Sequence, residues 1–282
     1  MRIILKNLPR DHKIAIMSCS HQGARGRDSG AYNEAIMQVK GNGYYAVHLG
    51  DFVDGITVRD KRYSREEDQG DTILRQYVDA ERNLEPIQDR LLVLLEGNHD
   101  RKLNQFGNFV REMAYDLKVE YGTYSCVLVI CDEESGAPMY KIFATHGYGS
   151  FSSNADDPLR RRANLKLSLK RKLKDKMTDC ELMAMGHTHR LLVVPPTEWL
   201  RLYTDLSRPL GRQIRSFYKP PMNDRFIHPD NRWYVNAGSF YRLYADGTSN
   251  YAEVAGYDPL DVGYALVNVE DGMIQNVQEV IL

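Results

Sequence analysis

The stretch "RLLVLLEGNHD", residues 90–100, joins a short apolar run directly to three polar side chains. The run of five apolar residues, 91–95, predicts a buried strand. Asn98, His99 and Asp100 follow at its end, where a loop on a rigid scaffold can carry functional groups. If this arrangement builds a site, other strands of the chain should end in the same way.

Four further apolar runs do end in polar side chains of similar kinds. "KIAIMSCSHQG" (13–23) contributes Cys19 and His21, "LGDFVDG" (49–55) Asp51 and Asp54, "FATHGYG" (143–149) His146, and "MGHTHR" (185–190) His187 and His189. Polar groups at strand ends converge on one edge of a sheet. Imidazole, carboxylate, carboxamide and thiolate donors together suit a transition metal better than Mg²⁺ or Ca²⁺, which prefer oxygen ligands.

Single residues of this kind are weak evidence. A lone histidine at a strand end is more often structural, and His48, inside the strand before Asp51, is predicted to have a plain core role. Cys19 alone could be a small buried residue, because free cysteine is among the most buried residue types. Five strand ends together favour a shared site.

Composition is that of an ordinary globular protein, with 282 residues, 43% hydrophobic residues and a net charge of −1. The charge argues neither for nor against a polyanionic partner. The four cysteines are sparse, which makes a disulfide framework unlikely and favours a reducing compartment. No apolar run approaches the roughly 20 residues needed to span a bilayer. We expect a cytoplasmic protein without membrane insertion.

Short apolar runs alternate with helical patterns over 29–41, 71–87, 106–119 and 157–177, and the chain after residue 189 is mostly β. This order predicts an α/β fold of two packed sheets with helices outside. One domain is expected over 1–282. Residues 196–231 form a long, turn-rich, aromatic insertion, for which a functional lid or binding loop and a plain surface excursion are equally open.

The order of these motifs resembles that of the calcineurin-like metallophosphoesterase superfamily. The family pattern is Asp-x-His, Gly-Asp-x-x-Asp, Gly-Asn-His-Asp, His and Gly-His-x-His, and this chain departs from it in having Cys19 at the first position. "VNAGSFYR" (235–242) is similar to the late Asn-x-Gly-Ser segment of the family. The resemblance implies a four-layer α/β/β/α sandwich of two mixed β-sheets flanked by helices.

The resemblance also implies a site with two divalent metal ions. Metal 1 would be held by Cys19, His21, Asp51 and His189, and metal 2 by Asp51, Asn98, His146 and His187. Asp51 would bridge the ions, and a bridging hydroxide would attack phosphorus. His99 would contact the phosphate and help the leaving oxygen depart, and Asp54 would orient His99.

Cys19 leaves two interpretations open. As a ligand, its thiolate should favour Zn²⁺ or Fe²⁺ over Mn²⁺ at metal 1. Otherwise metal 1 is weakened or absent. The superfamily also contains members that look like binding scaffolds with a degraded metal site, such as the retromer subunit. A metal-poor protein-interaction scaffold is therefore an alternative to a phosphoesterase.

The substrate is less defined than the chemistry. Four arginines that follow the motifs could hold a phosphate through their planar fork: Arg25, Arg27, Arg101 and Arg190. The basic run 160–176 could track a nucleic-acid backbone, or it could be the solvated face of an amphipathic helix with Leu165, Leu169 and Leu173 inward. Phosphomonoesters and phosphodiesters are both possible substrates, and a nuclease acting on DNA or RNA is an alternative.

Overall fold

The strands form two six-stranded sheets and one two-stranded sheet in the computed structural model, which describes residues 1–60, 62–63, 65, 70–207, 211–217 and 225–282. In spatial order, the first sheet consists of β1 (Arg2–Leu8), β6 (Ser125–Asp132), β7 (Pro138–Thr145), β8 (Leu182–Met185), β12 (Trp233–Ala237) and β9 (Leu191–Val194). The second consists of β14 (Met273–Ile281), β13 (Gly263–Glu270), β2 (His12–Met17), β3 (Tyr45–His48), β4 (Leu91–Leu94) and β5 (Glu120–Tyr121).

Both sheets are mixed. In the second sheet β2, β3, β4 and β5 run parallel, and β13 is antiparallel to β2. In the first sheet β7, β8 and β12 run parallel, whereas β6 and β9 run antiparallel to their neighbours β7 and β12. The parallel strands matter most for function, because their carboxyl ends lie at a common edge.

The helices are α1 (Ser29–Asn42), α2 (Ile73–Leu84), α3 (Asn98–Lys102), α4 (Phe109–Asp116), α5 (Pro158–Leu173) and α6 (Tyr251–Val254), with 3₁₀ turns at Glu85–Arg90, Asn104–Phe106 and Pro229–Asn231. The four predicted helices are confirmed as α1, α2, α4 and α5. The N-cap of α1 is Asp28, whose side chain accepts the Ala31 N–H at 3.0 Å. α2 ends at Leu84, where Pro86 opens a 3₁₀ turn.

The core lies between the sheets and on both outer faces. Because side chains alternate along a strand, Ile14 and Ile16 of β2 face the first sheet, and Ala15 and Met17 pack against the helices. α1, α2 and α4 cover the outer face of the second sheet, and α5 covers that of the first. The predicted four-layer α/β/β/α sandwich is confirmed.

α5 buries Leu165, Leu169 and Leu173 against the first sheet, as its spacing predicts. Leu169→Ala should therefore lower the free energy of unfolding by about 2–5 kcal/mol, since it leaves a cavity in a packed core. Leu167→Ala is the control, because Leu167 is 61% exposed on the same helix, and its effect should stay within about 0.5 kcal/mol. Urea unfolding measures both, and equal losses would contradict the packing of α5.

Residues 196–231 connect β9 to β12, which lie side by side. The described part of this segment forms an antiparallel pair, β10 (Trp199–Tyr203) and β11 (Arg212–Ser216). Residues 208–210 and 218–224 lie outside the described part of the chain. The single domain over 1–282 and the insertion within it stay predictions. Among the helices that the structure describes, none is both long and apolar enough to cross a membrane.

Candidate metal centre

Five strands end at one edge of the sandwich, and the polar residues that follow them meet there. Those strands are β2, β3 and β4 of the second sheet and β7 and β8 of the first. The residues predicted to bind metal or assist catalysis are all buried or half-buried at this edge: Cys19, His21, Asp51, Asp54, Asn98, His99, His146, His187 and His189. Their side-chain atoms contact one another, as the distances below show.

The backbone at this edge is unusual. Five of these residues have a left-handed backbone with φ between 43° and 69°: Cys19, His21, Asp51, His187 and His189. Such a conformation costs about 1–3 kcal/mol at a non-glycine residue and persists where the surrounding structure imposes it. It supplies the irregular backbone that two histidines at i and i+2 need in order to face one site.

The turns after β3 and β4 approach so closely that both require glycine. Gly50 has φ 94°, and a Cβ there would lie 2.4 Å from the Gly97 nitrogen. A Cβ on Gly97 would lie 2.1 Å from Oδ1 of Asp51. The two Gly residues of the motifs thus let Asp51 reach the turn that carries Asn98.

Asp100 joins the same two turns, a role that the sequence analysis missed. Its carboxylate accepts the backbone N–H groups of Asp51 and Gly97, both at 2.8 Å, and the Tyr77 hydroxyl at 3.1 Å. Burial and the charge of Asp51 raise the pKa of Asp100 to about 7. In the sequence, the only sign of this role of Asp100 is its position directly after Asn98 and His99.

One group of donors gathers around Asn98. Its Oδ1 lies 3.0 Å from Nε2 of His146 and 2.6 Å from Nδ1 of His187, and these nitrogens are 3.3 Å apart. Oδ2 of Asp51 lies 3.2 Å from the same nitrogen of His146. Ligands about 2.1 Å from one ion are separated by about 3.0–3.4 Å. This group therefore fits a metal ion.

A second group gathers around Cys19. Its thiol and the imidazoles of His21 and His189 offer donor atoms that all lie within 4.8 Å of one another, as do donors of Cys19, Asp51 and His146. The Nε2 atoms of His21 and His189 face each other at 3.1 Å. Nδ1 of His21 is buried without a hydrogen-bond partner. These donors fit a second ion, with Asp51 next to both groups.

Most of these imidazoles are neutral and so can bind metal through a lone pair. Burial lowers the pKa of His189 to about 3 and that of His187 to about 4, and it holds the pKa of His21 well below its usual value. His146 differs: burial opposes its charge, but Asp51 outweighs burial and raises its pKa. Nδ1 of His146 contacts the Leu49 carbonyl at 2.7 Å. That contact points Nε2 into the site.

Cys19 is fully buried, with its sulfur 3.2 Å from the Ser18 hydroxyl. Burial and the charge of Asp51 raise the pKa of the Cys19 thiol well above its usual value. Without a metal the sulfur is therefore protonated, and ligation requires that it lose this proton.

His99 is oriented by Asp54, although in a different way from the one expected. Nδ1 of His99 lies 2.5 Å from the backbone carbonyl of Asp54, whereas the Asp54 carboxylate is 3.6 Å from that nitrogen and 3.8 Å from Nδ1 of His21. Nε2 of His99 lies 3.0 Å from Nη1 of Arg62. The sequence analysis missed Arg62, because nothing marks it within the polar stretch 58–70.

Three of the four predicted arginines bind other groups of the protein. Arg190 lines the cavity beside the donors but binds Asp258 at 2.8 Å, and Arg101 binds Glu96 at 2.6 Å. Arg27 donates to the Ser20 carbonyl at 3.1 Å, and Arg25 is exposed. The described part of the chain places neither Arg25 nor Arg27 in the lining of that cavity. Their role in binding substrate stays a prediction.

The late segment supports the loops of the site. Asn236 donates a hydrogen bond to the Thr188 hydroxyl, between the two histidines of "GHTH". The Phe240 N–H donates to the Cys19 carbonyl at 3.1 Å. The segment thus holds two of the left-handed turns in place.

The donors open into a cavity of about 840 Å³. Asp51, Asn98, His99, His187 and His189 lie on its inner side. Its other walls include Arg62, Tyr63, Phe151, Arg190, Val254, Tyr257 and Leu260. No described residue of 196–231 lines it. The cavity has room for a phosphoester with a substantial organic group.

The family profile agrees with the motifs. The profile of the family described as calcineurin-like phosphoesterase matches residues 12–231. A comparison with curated proteins found no match. Among solved structures, the chain is similar to YfcE, a phosphoesterase from E. coli, at 14% identity, covering 94% of this chain and 98% of that chain with a TM-score of 0.40. The resemblance inferred from the motifs is confirmed by the family profile, which spans most of the chain: the protein belongs to the calcineurin-like phosphoesterase family.

Proposed function

We propose that the protein is a dinuclear metal-dependent phosphoesterase. The observation that carries the proposal is the position of Asp51, whose carboxylate adjoins both the donor group around Asn98 and the donor group around Cys19. The family membership supports phosphoester hydrolysis that depends on divalent metals. Zn²⁺, Fe²⁺ and Mn²⁺ are the candidate ions, with the softer ones favoured beside Cys19.

When bound, two divalent cations lower the pKa of a water and neutralise charge on the phosphoryl oxygens. Asp51 is fixed for this task, because its Oδ1 accepts the His99 N–H at 2.8 Å while its Oδ2 faces His146. His99 presents Nε2 to the cavity, where it can contact the phosphoryl group or the leaving oxygen.

Metal analysis combined with hydrolysis of generic substrates tests the proposal. The purified protein should carry close to two metal ions per chain and hydrolyse bis(p-nitrophenyl) phosphate, a diester, or p-nitrophenyl phosphate, a monoester. Chelation should abolish turnover, and readdition of metal should restore it. Near-zero metal and no turnover with added Zn²⁺, Fe²⁺ or Mn²⁺ would favour the metal-poor interaction scaffold instead.

A nuclease is the second candidate. Lys172 lies near the carboxyl end of α5 with its Nζ 5.0 Å from the centre of the Phe151 ring, and Phe151 lines the cavity. Lys172 also donates to the Tyr148 carbonyl. Two other basic side chains of α5 are paired with carboxylates, Arg162 with Glu279 and Lys170 with Asp230. A higher kcat/KM for a short oligonucleotide than for bis(p-nitrophenyl) phosphate would favour the nuclease.

His99→Ala should retain both metals and lose about 10²–10⁴-fold in rate, the usual scale for a lost acid–base group. The reason is that His99 lines the cavity and lies outside the donor groups around Asn98 and Cys19. Its ring instead lies near donors of His21 and Asp54, all within 4.8 Å of one another. Metal content and kcat are measured on the same preparation. If the variant loses metal, His99 is a ligand and the proposed role is incorrect.

A further inference from the structure

Arg62 is held in place by Asp60 before any substrate binds. Its Nε donates to Oδ1 of Asp60 at 3.1 Å and its Nη2 to Oδ2 at 2.9 Å, a bidentate pair. The Arg62 backbone N–H donates to the same Oδ1 at 3.0 Å. Two hydrogen bonds to Asp60 restrict the rotation of the planar guanidinium. The direction of its third nitrogen, Nη1, is therefore fixed.

That third nitrogen points at His99. Nη1 of Arg62 lies 3.0 Å from Nε2 of His99. Arginine has no acceptor, so Nε2 must accept the hydrogen bond and the ring hydrogen must be on Nδ1, which donates to the Asp54 carbonyl at 2.5 Å. Arg62 and His99 thus form one hydrogen-bonded unit on the cavity wall beside Asp51 and Asn98.

Two cations contact the carboxylate of Asp60. It accepts hydrogen bonds from Arg62 and from Lys102, whose Nζ lies 3.1 Å from Oδ2. The Arg62 side chain is only 20% exposed, so bulk water screens its charge less than that of a solvated arginine. Arg62 also lines the cavity beside His99. Its guanidinium therefore attracts an anion to this edge of the cavity.

We propose that Arg62 binds an oxygen of the phosphoryl group, beside His99, and that Asp60 is the residue that positions it. The proposal rests on the proposed phosphoesterase function and extends it to a residue outside the family motifs. Arg62 carries a fixed charge, whereas His99 is neutral in this arrangement. Nε2 of His99 carries a lone pair in this arrangement and cannot donate to a phosphate oxygen unless it gains a proton, so Arg62 supplies the hydrogen-bond donor.

Orthophosphate binding to the purified, metal-loaded protein tests the role of Arg62 without requiring turnover. Isothermal titration calorimetry should show that Arg62→Ala weakens orthophosphate binding by about 10- to 100-fold, the scale of one hydrogen bond to a charged group. Arg62→Lys keeps the charge but loses the planar guanidinium, and its orthophosphate affinity should lie between those of the parent and Arg62→Ala. Lys102→Ala is the matched control: it removes a cation from the same carboxylate but not the one that faces His99, and its affinity should stay within about threefold.

Turnover gives the second measurement. In Arg62→Ala the kcat/KM for bis(p-nitrophenyl) phosphate should fall by a similar factor, and added guanidinium ion should restore part of it, which a merely structural loss would not permit. Asp60→Asn should raise KM more than it lowers kcat, and guanidinium should not rescue it. Orthophosphate affinity in Arg62→Ala and Arg62→Lys equal to that of the parent would overturn the inference. If the parent has no turnover, the proposed function fails, and orthophosphate binding still decides the role of Arg62.

Discussion

Asp51→Asn should reduce phosphoester hydrolysis by at least about 10³-fold, a loss of about 4 kcal/mol of transition-state stabilisation. Asp51 is the only carboxylate in the two donor groups, and it adjoins both. Without its negative charge, two cations held close together repel each other with little compensation. Metal content should therefore fall together with the rate, to about one ion per chain or less.

The fold should survive this change. The side chains are nearly the same size, and Oδ1 can still accept the His99 N–H, a contact of 2.8 Å in the parent. Asp258→Asn is a matched control, because Asp258 lines the same cavity and pairs with Arg190 but is not in either donor group. It should keep both metals and a near-normal rate. An Asp51→Asn variant with parental metal content and rate would exclude the dimetal assignment.

The second large effect is expected at Cys19, where this chain departs from the family pattern. Cys19→Ser should empty metal 1 selectively, because a neutral hydroxyl is a poor substitute for an anionic sulfur. Cys19→Asp should restore occupancy and shift the preferred activating ion toward Mn²⁺, since a carboxylate is the harder ligand. Metal analysis and activation by Zn²⁺, Fe²⁺ and Mn²⁺ measure both variants.

Metal binding at Cys19 should also depend on pH. Burial and Asp51 raise the pKa of the thiol, so the metal-free protein holds a proton at neutral pH that metal must displace. Affinity at metal 1 should then rise about tenfold per pH unit below that pKa. Metal affinity should therefore increase, and not decrease, as the pH is raised. On binding metal, Cys19→Asp should release about one proton fewer per chain than the parent. Calorimetry in buffers of different ionisation enthalpy counts the protons.

A clear result would contradict the ligand role of Cys19. If Cys19→Ser keeps two metals per chain and the metal preference of the parent, Cys19 is a packing residue at the end of β2. Equal proton release by the parent and Cys19→Asp would point the same way. In that case His21 and His189 hold the site without sulfur, and the other donor group is unaffected.

Local sequence was enough for the layers of the fold and for the edge where the site lies. The alternating pattern of β2 and the leucine spacing of α5 both indicate which face of the element is buried. Each pattern depends only on the repeat of a strand or of a helix. Polar residues directly after the apolar runs predicted which side chains meet at that edge. β1 was not predicted, because it lies at the edge of its sheet and buries only Ile4 and Leu8.

Tertiary structure decided what depends on residues distant in sequence. Asp100 joins two turns through the Asp51 N–H, 49 residues away, and Arg62 meets His99 across 37 residues. Arg190, predicted to hold phosphate, pairs with Asp258, which lies 68 residues later in the chain. The physical reason is that periodicity records burial within one element, whereas the partner of a charged side chain is set by how loops from different strands meet. The sequence predicted the layers and the polar residues that meet at one edge, whereas only the fold placed Arg62 against His99 on the cavity wall.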